Sequence, residues 1–257
     1  MAQTTTTETG ETGQDMLRRL RAEPFNRNTE KRLESHPYLK SAEMGTLTPE
    51  QRQALAQEQY FIQISDAISF ASLAGHSGFV PSSLKDATTP DPVRTPAEGS
   101  GDVDLFQFLL GGEIYAFSLL LDYAKRFGLD EASLSSYRTS AAAQAYPSYW
   151  ARLAISGNRA AGAAACAVNF PAWGKMCRRL CEALGNTDNI CYGYADTEDE
   201  GLAFVKFFST PIERLDEMAA AIIEEEGASY EDLLEPVRLL QEYEVMFWDA
   251  VFEPNTK

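Results

Sequence analysis

The chain has 257 residues, of which 44% are hydrophobic, and this is enough to bury a sizeable core in one domain. Its formal net charge of −16 repels phosphate polymers and anionic membrane surfaces, so we expect neither a nucleic-acid partner nor a membrane partner. The N-terminus lacks the basic and apolar regions of a signal peptide, and no apolar run approaches the ~20 residues that cross a bilayer. We therefore expect a cytoplasmic protein.

Cysteine and histidine usage limits the metal and redox chemistry. Cys166, Cys177, Cys181 and Cys191 lie in helix-like or loop sequence, and without an export signal free thiols are expected rather than disulfides. The chain has 2 histidines, too few for a zinc cluster, and neither forms the Glu-x-x-His pair of di-iron bundles. We expect no metal and no other cofactor.

The hydrophobic patterns predict an all-α, single-domain bundle over residues 15–257, preceded by a disordered Thr-, Gly- and Glu-rich tail at 1–14. No convincing strand and no internal repeat is visible. The Pro-, Gly- and Ser-rich stretch at 78–102 is predicted to be a long surface loop, serving as an excursion, a lid or an oligomer contact. Helices are predicted at 15–23, 28–42, 49–75, 103–127, 131–143, 147–156, 159–184, 198–208, 210–226 and 230–252.

The last predicted helix carries a carboxylate on its apolar face. A spacing of 3 and 4 residues places Val237, Leu240, Glu244, Phe247 and Val251 on one side, where a charge is costly unless something meets it. Two interpretations stay open. The acid could reach the bundle rim or a structural arginine, or it could line an interior pocket.

The predicted helix at 49–75 is apolar on most sides, which suggests a central position in the bundle. Polar side chains follow one line along it, and this line could be an exposed stripe. Alternatively, Glu58 could be a second acid that faces the pocket. The line consists of Glu58, Ser65, Ser69, Ser72 and His76.

The predicted helix at 159–184 places Asn169 among apolar residues, two positions before Pro171. A proline in this position removes a backbone N–H, so we expect a kink that leaves the carbonyl of Ala167 without its helical partner. The kink could open a ligand cavity, or it could be an accommodation of packing.

Aromatic side chains are concentrated near these helices. Most are expected to be core residues, and a subset could stack on a flat heterocycle. The set comprises Tyr60, Phe61, Tyr146, Tyr149, Trp150, Trp173, Tyr243, Phe247 and Trp248.

Several short motifs together resemble the TenA family of the haem-oxygenase-like fold. They occur in consistent order between about residues 36 and 252. The motifs are His36-Pro37-Tyr38, Gly45-Thr46-Leu47, Gln57-Glu58-Gln59-Tyr60-Phe61, Tyr146-Pro147-Ser148, Ser156-Gly157-Asn158 and Tyr243-Glu244-Val245-Met246-Phe247-Trp248-Asp249.

The resemblance implies an all-helical haem-oxygenase-like domain, a homodimer or homotetramer, and a pocket for a small aromatic heterocycle. The best-known members of this family hydrolyse aminopyrimidines or thiamine in vitamin salvage. By the same resemblance, the pocket acid of the second main helix is Glu58, in place of the usual Asp. Glu244 corresponds to the general acid/base and Tyr146 to a tyrosine beside the substrate.

One position departs from the family pattern. The nucleophilic cysteine of the family is expected at Asn169, and an amide cannot serve as a thiolate nucleophile. Cys166 lies one turn earlier on the same face, about 5 Å away along the helix axis, which is too far for an unchanged attack geometry.

Three functional hypotheses remain. In the first, the chain is an aminopyrimidine hydrolase: Glu244 shuttles a proton, Glu58 holds the amine or a ring nitrogen, Asn169 orients substrate or water, and the aromatic side chains stack on the ring. These substrate-binding aromatic residues are Tyr146, Phe61, Trp173 and Tyr243.

In the second hypothesis, the pocket binds a heterocycle or tetrapyrrole without turnover. The third is an oxidative enzyme of the same fold, either cofactor-independent, resembling pyrroloquinoline quinone synthase, or resembling haem oxygenase. His36 could be a haem ligand in the latter, although His-Pro before a helix is more typical of a structural cap or turn.

Overall fold

The computed structural model describes residues 11–76, 104–186 and 192–254, and within these ranges the regular structure is helical, with no strand. The chain forms an all-α bundle, as the patterns predict. The helices are α1 Gly13–Ala22, α2 Pro24–Glu34, α3 Pro37–Glu43, α4 Pro49–Gly75, α5 Leu105–Lys125, α6 Glu131–Ser135, α7 Ala141–Ser156, α8 Arg159–Leu184, α9 Ala203–Ser209, α10 Leu215–Glu225 and α11 Tyr230–Phe252. A short 3-10 turn, Glu200–Leu202, precedes α9.

The predicted helix at 28–42 is divided in two by a proline. Pro37 cannot donate to the preceding turn, so α2 ends at Glu34 and α3 begins at Pro37, the position at which proline is best tolerated. His36 caps α3, because its Nδ1 accepts from the backbone N–H of Tyr38 at 3.2 Å. The continuous helix that the pattern predicts here is therefore wrong.

The region around Pro147 also differs from the prediction. The predicted helix at 131–143 ends at Ser135, and α7 begins at Ala141, with Pro147 inside the helix instead of at its start. Ser140 supplies the N-cap, since its side chain accepts from the N–H of Ala142 at 3.2 Å. From this cap α7 runs through Pro147, which lies in its seventh position.

Two long helices lie at the centre of the bundle. α4 packs against α5 and α7, while α8 packs against α9, α10 and α11. The first half of α8 is rich in alanine and fully enclosed, which lets neighbouring helices approach closely. A Cβ atom at Gly162 would lie 3.1 Å from the ring of Phe106, so this close approach depends on glycine.

α5 is long and apolar enough to cross a bilayer by length and composition, contrary to our expectation that no segment approaches this length. A core helix of a globular bundle meets the same criterion. α5 packs along α4 and carries the buried acid Glu113 near its centre, and 33% of its most apolar window is buried. The predicted loop at 78–102 and residues 1–10 of the predicted tail lie outside the described residues, as does Cys191.

Candidate functional site

A cavity of about 1110 Å³ lies between α4, α5, α8 and α11 and extends to the connection between α9 and α10. Its inner part is lined by polar side chains from four helices, and aromatic rings line the wall around them. The polar residues are Gln59, Gln63, Asp66, Glu113, Tyr146 and Glu244. The aromatic residues include Phe170, Trp173, Phe208 and Phe247.

Glu244 is the best-defined acid of this cavity. It is 3% exposed, on the apolar stripe of α11 that the spacing predicts. Its Oε1 accepts from the indole N–H of Trp248 at 2.8 Å, and its Oε2 accepts a long hydrogen bond from the amide of Asn169 at 3.4 Å. Burial raises the pKa of Glu244 to about 7, although both hydrogen bonds oppose this rise. Glu244 can therefore gain or lose a proton near neutral pH.

Asp66 is a second buried acid, contributed by α4. It is 4% exposed, and its Oδ1 has no hydrogen-bond partner among the described residues. Burial raises its pKa well above the usual value, and the negative charges of Glu113 and Glu244 add to this effect. An enclosed carboxyl group with an unused oxygen is suited to bind a polar group that enters the cavity.

Glu113 brings a third carboxyl group to the cavity from α5. It is buried, and no other charged residue lies between Leu105 and Leu121 of this helix. Sequence reasoning missed both Glu113 and Asp66. For Glu113 the signal was the one that identified Glu244, a lone acid within an apolar stretch. For Asp66 it was the spacing of 4 and 3 that places Gln59, Gln63 and Asp66 on one face of α4.

A sequence model of the TENA/THI-4/PQQC family matches residues 100–253 of the chain. The chain belongs to this family. Among solved structures, a TenA homologue from P. horikoshii OT3 is 14% identical, with a TM-score of 0.61 over 93% of this chain and 98% of its own. A TenA homologue from Pseudomonas syringae pv. tomato DC3000 is 11% identical, with a TM-score of 0.66 over 98% of both chains. At such identities the likeness shows the fold alone. No curated protein sequence matches the chain.

Glu58, the pocket acid that the resemblance to the TenA family implies, lies elsewhere. It is buried, but it is not among the residues that line the cavity. Its carboxylate accepts from the backbone N–H of Ser140 at 2.7 Å and from the amide of Gln144 at 2.8 Å. These bonds attach α4 to the beginning of α7, so the structure gives Glu58 the partners of a structural residue.

The predicted aromatic residues divide into two groups. Tyr146 and Trp173 line the cavity, and burial raises the pKa of Tyr146, with Asp66 and Glu244 contributing. Phe61 and Tyr243 do not line it. Phe61 lies edge-on to Tyr60 with ring centroids 5.3 Å apart, and Tyr243 lies against Tyr149 at 5.6 Å.

Asn169 and Cys166 both lie behind the cavity wall and not in its lining. Asn169 is fully buried, and its contact is with Glu244. Cys166 is also fully buried, and burial together with the charges of Asp66 and Glu113 raises its pKa well above the usual value. A thiol in this environment keeps its proton, so Cys166 is not an activated nucleophile.

Pro171 lines the cavity within α8, which continues through it. The carbonyl of Ala167, which the sequence predicts to lose its helical partner, accepts from Nη2 of Arg21 at 2.8 Å. Arg21 belongs to α1 and also binds both carboxylate oxygens of Asp216, at 2.5 and 2.6 Å. One guanidinium group thus joins α1, α8 and α10 at the proline.

His36 is a structural histidine in this arrangement. Its Nδ1 caps α3, its Nε2 lies 3.0 Å from the carboxylate of Asp249, and it does not line the cavity. Within residues 11–76, 104–186 and 192–254, no group of three or more His, Cys, Asp or Glu side chains is arranged to hold a metal ion.

Proposed function

We propose that this protein binds an amine-bearing aromatic heterocycle in the cavity and hydrolyses its exocyclic C–N bond, as an aminopyrimidine hydrolase. The observation that supports this most is the placement of Glu244, a buried carboxyl group with a pKa of about 7, in the same cavity as Asp66. A general acid/base is most effective when its pKa lies near the working pH.

In the proposed reaction, Glu244 first acts as a base. It accepts a proton from a water molecule while the water oxygen forms a bond to the ring carbon that carries the amine. Glu244 then returns this proton to the amine nitrogen, and the C–N bond breaks with its electron pair on nitrogen. The products are ammonia and the hydroxylated ring, so no oxidant or reductant is needed.

In this proposal, Asp66 binds the heterocycle. Because its pKa is raised well above the usual value, Asp66 holds a proton that it can donate to a ring nitrogen. Such a bond withdraws electron density from the ring and makes the adjacent carbon a better electrophile. Trp173 and Phe247 offer faces for stacking, and Tyr146 a hydroxyl group beside the acids.

Direct attack by water is proposed because the described part of the cavity provides no thiolate. Asn169 occupies the position where the family resemblance implies the nucleophile, and the thiol of Cys166 is buried outside the lining. The same observation favours a second candidate, a protein that binds the heterocycle without turnover.

The experiment is a thermal-shift screen of aminopyrimidines, thiamine, haem and bilins, with wild type beside Glu244→Gln, followed by an assay for ammonia. We expect an aminopyrimidine to stabilise wild type and to release ammonia only with Glu244 present. Stabilisation without ammonia would support the binding protein. A response to tetrapyrroles alone would overturn the hydrolase and leave a protein that binds a tetrapyrrole without turnover.

A further inference from the structure

The exposed, outer part of the cavity lining carries basic side chains, whereas the buried, inner part carries carboxyl groups. Lys175 and Arg178 of α8 and Arg214 at the beginning of α10 line it. The chain has 22 basic and 38 acidic residues, so basic side chains on one wall of one cavity stand out against the composition.

Asp216 and Glu217 also line this part of the cavity, and both are already in ion pairs. Asp216 is bound by both terminal nitrogens of Arg21, and Glu217 accepts from Arg214 at 2.7 Å. Lys175 and Arg178 form no ion pair with a carboxylate among the described residues.

The contacts of Arg178 leave it available to a ligand. It donates one hydrogen bond, from Nη2 to the carbonyl of Ser209 at 3.1 Å, and a guanidinium group has further donors. The positive charges of Lys175 and Arg178 are therefore available to an anionic group in the cavity.

The two ends of the cavity are separated along α8. Asn169 touches Glu244, while Lys175 and Arg178 follow six and nine residues later on the same helix. At 1.5 Å per residue, they lie about 9 and 14 Å further along the axis. The positions of Pro171, Gly174, Lys175 and Arg178 on one face of α8 explain how the cavity follows the helix between the two ends.

We propose that the outer end is an anion subsite and that the ligand is a phosphate ester of the amine-bearing heterocycle, a proposal that rests on the proposed function. The amine end would lie at Glu244 and Asp66, and the phosphate at Lys175 and Arg178. Arginine and lysine are the side chains that suit a phosphate group best. The volume of about 1110 Å³ also exceeds what one pyrimidine ring fills, and an extended ligand accounts for it.

The test compares thiamine with thiamine monophosphate, two compounds that differ only in the phosphate, by titration calorimetry. We expect wild type to bind the monophosphate at least about tenfold more tightly, the effect of one charge-assisted hydrogen bond. Lys175→Met and Arg178→Met should each reduce this ratio, and the double variant should bring it close to one.

Arg179→Met is the matched control, because it removes a cation from the same turn of α8. Arg179 is bound by Glu43 at 2.6 and 2.9 Å and does not line the cavity. This variant should keep the ratio of wild type. If it lowers the ratio as much as Arg178→Met does, the effect is one of general charge and the subsite is disproved.

The remaining outcomes separate the two proposals. Equal affinity of wild type for the two compounds overturns the anion subsite and leaves the proposed function in place. Inorganic pyrophosphate, which carries no amine, examines the outer end alone, and it should stabilise wild type more than Arg178→Met. If pyrophosphate shows this difference while no aminopyrimidine binds, the proposed function fails together with the heterocycle as the ligand, and only the anion subsite stands.

Discussion

Trp248 donates its indole N–H to Glu244, one turn earlier on α11, at 2.8 Å. Both residues are buried, so the bond fixes one carboxylate oxygen while the other points to Asn169. Because the bond favours the ionised form, Trp248 keeps the pKa of Glu244 lower than burial alone would. The indole thus adjusts the acid toward neutral pH.

Replacing Trp248 by Phe should raise the pKa of Glu244 above its value of about 7. The acidic limb of the pH profile for ammonia release should then move to higher pH, by up to about one unit for a lost charge-assisted bond. Val251→Ala, a truncation of a buried residue one turn from Trp248, controls for loss of packing and should leave the profile in place. An unchanged profile in Trp248→Phe would contradict the role of this bond.

Glu244→Gln should make the protein less sensitive to alkaline pH. The folded-state pKa of Glu244 is raised from 4.5 to about 7, so the folded state binds its proton more tightly than the unfolded state. The stability from this proton is present below pH 4.5 and is lost as the pH rises to 7. The loss amounts to about 3 kcal/mol.

Urea unfolding at pH 5 and pH 8 measures this difference. Wild type should lose more stability between the two values than Glu244→Gln. The control is Glu253→Gln, in which an exposed acid near the end of the same helix is changed and the pH dependence should equal that of wild type. Parallel curves for wild type and Glu244→Gln would disprove the raised pKa.

Asp66→Asn and Glu58→Met should affect different properties: the first should lower ligand affinity, and the second should lower stability. Asp66→Asn removes the proposed proton donor from the cavity, so heterocycle affinity should fall by about tenfold or more while the fold is kept. Glu58→Met removes the acceptor for Ser140 and Gln144, and should cost about 2 kcal/mol of stability with ligand affinity unchanged. Calorimetry and urea unfolding of both variants decide which acid of α4 serves the ligand. Loss of affinity in Glu58→Met alone would reverse our assignment.

Arg21→Met should destabilise the protein by about 1–3 kcal/mol, because it leaves the carbonyl of Ala167 and the carboxylate of Asp216 without their partner. Arg18→Met, on the same helix, loses an ion pair with Asp15 at the surface and should have little effect. Thermal unfolding of the two variants gives the comparison. Equal melting temperatures would show that Arg21 does not secure the segment of α8 around Pro171.

The sequence predicts most helices well because their ends carry local signals. α4, for example, begins where Thr48 and Gln51 cap each other and Pro49 occupies the first position. The burial of Glu244 can be predicted equally well, because a charge on an apolar stripe is a local feature of the sequence. Pro37 and Pro147 show the limit, because a proline can begin a helix or lie inside one, and tertiary packing decides between these outcomes.

The choice between Glu58 and Asp66 could not be made from periodicity. The two acids are eight residues apart, which places them about 80° apart around the helix axis. Both directions are buried in the bundle, one against α7 and one toward the cavity. Only the positions of α5, α7 and α11 show which direction is open to a ligand, and these are set by long-range packing.

The position of Asp66 also affects how function can be transferred between relatives. The match to the family model begins at residue 100. Glu113 and Glu244 therefore lie inside the match, and Asp66 lies outside it. Two proteins could therefore match equally well over this segment and still differ in the acid that α4 contributes to the cavity. If Asp66 binds the heterocycle as we propose, a chimera that exchanges only the first 75 residues should take its ligand preference from the donor of α4.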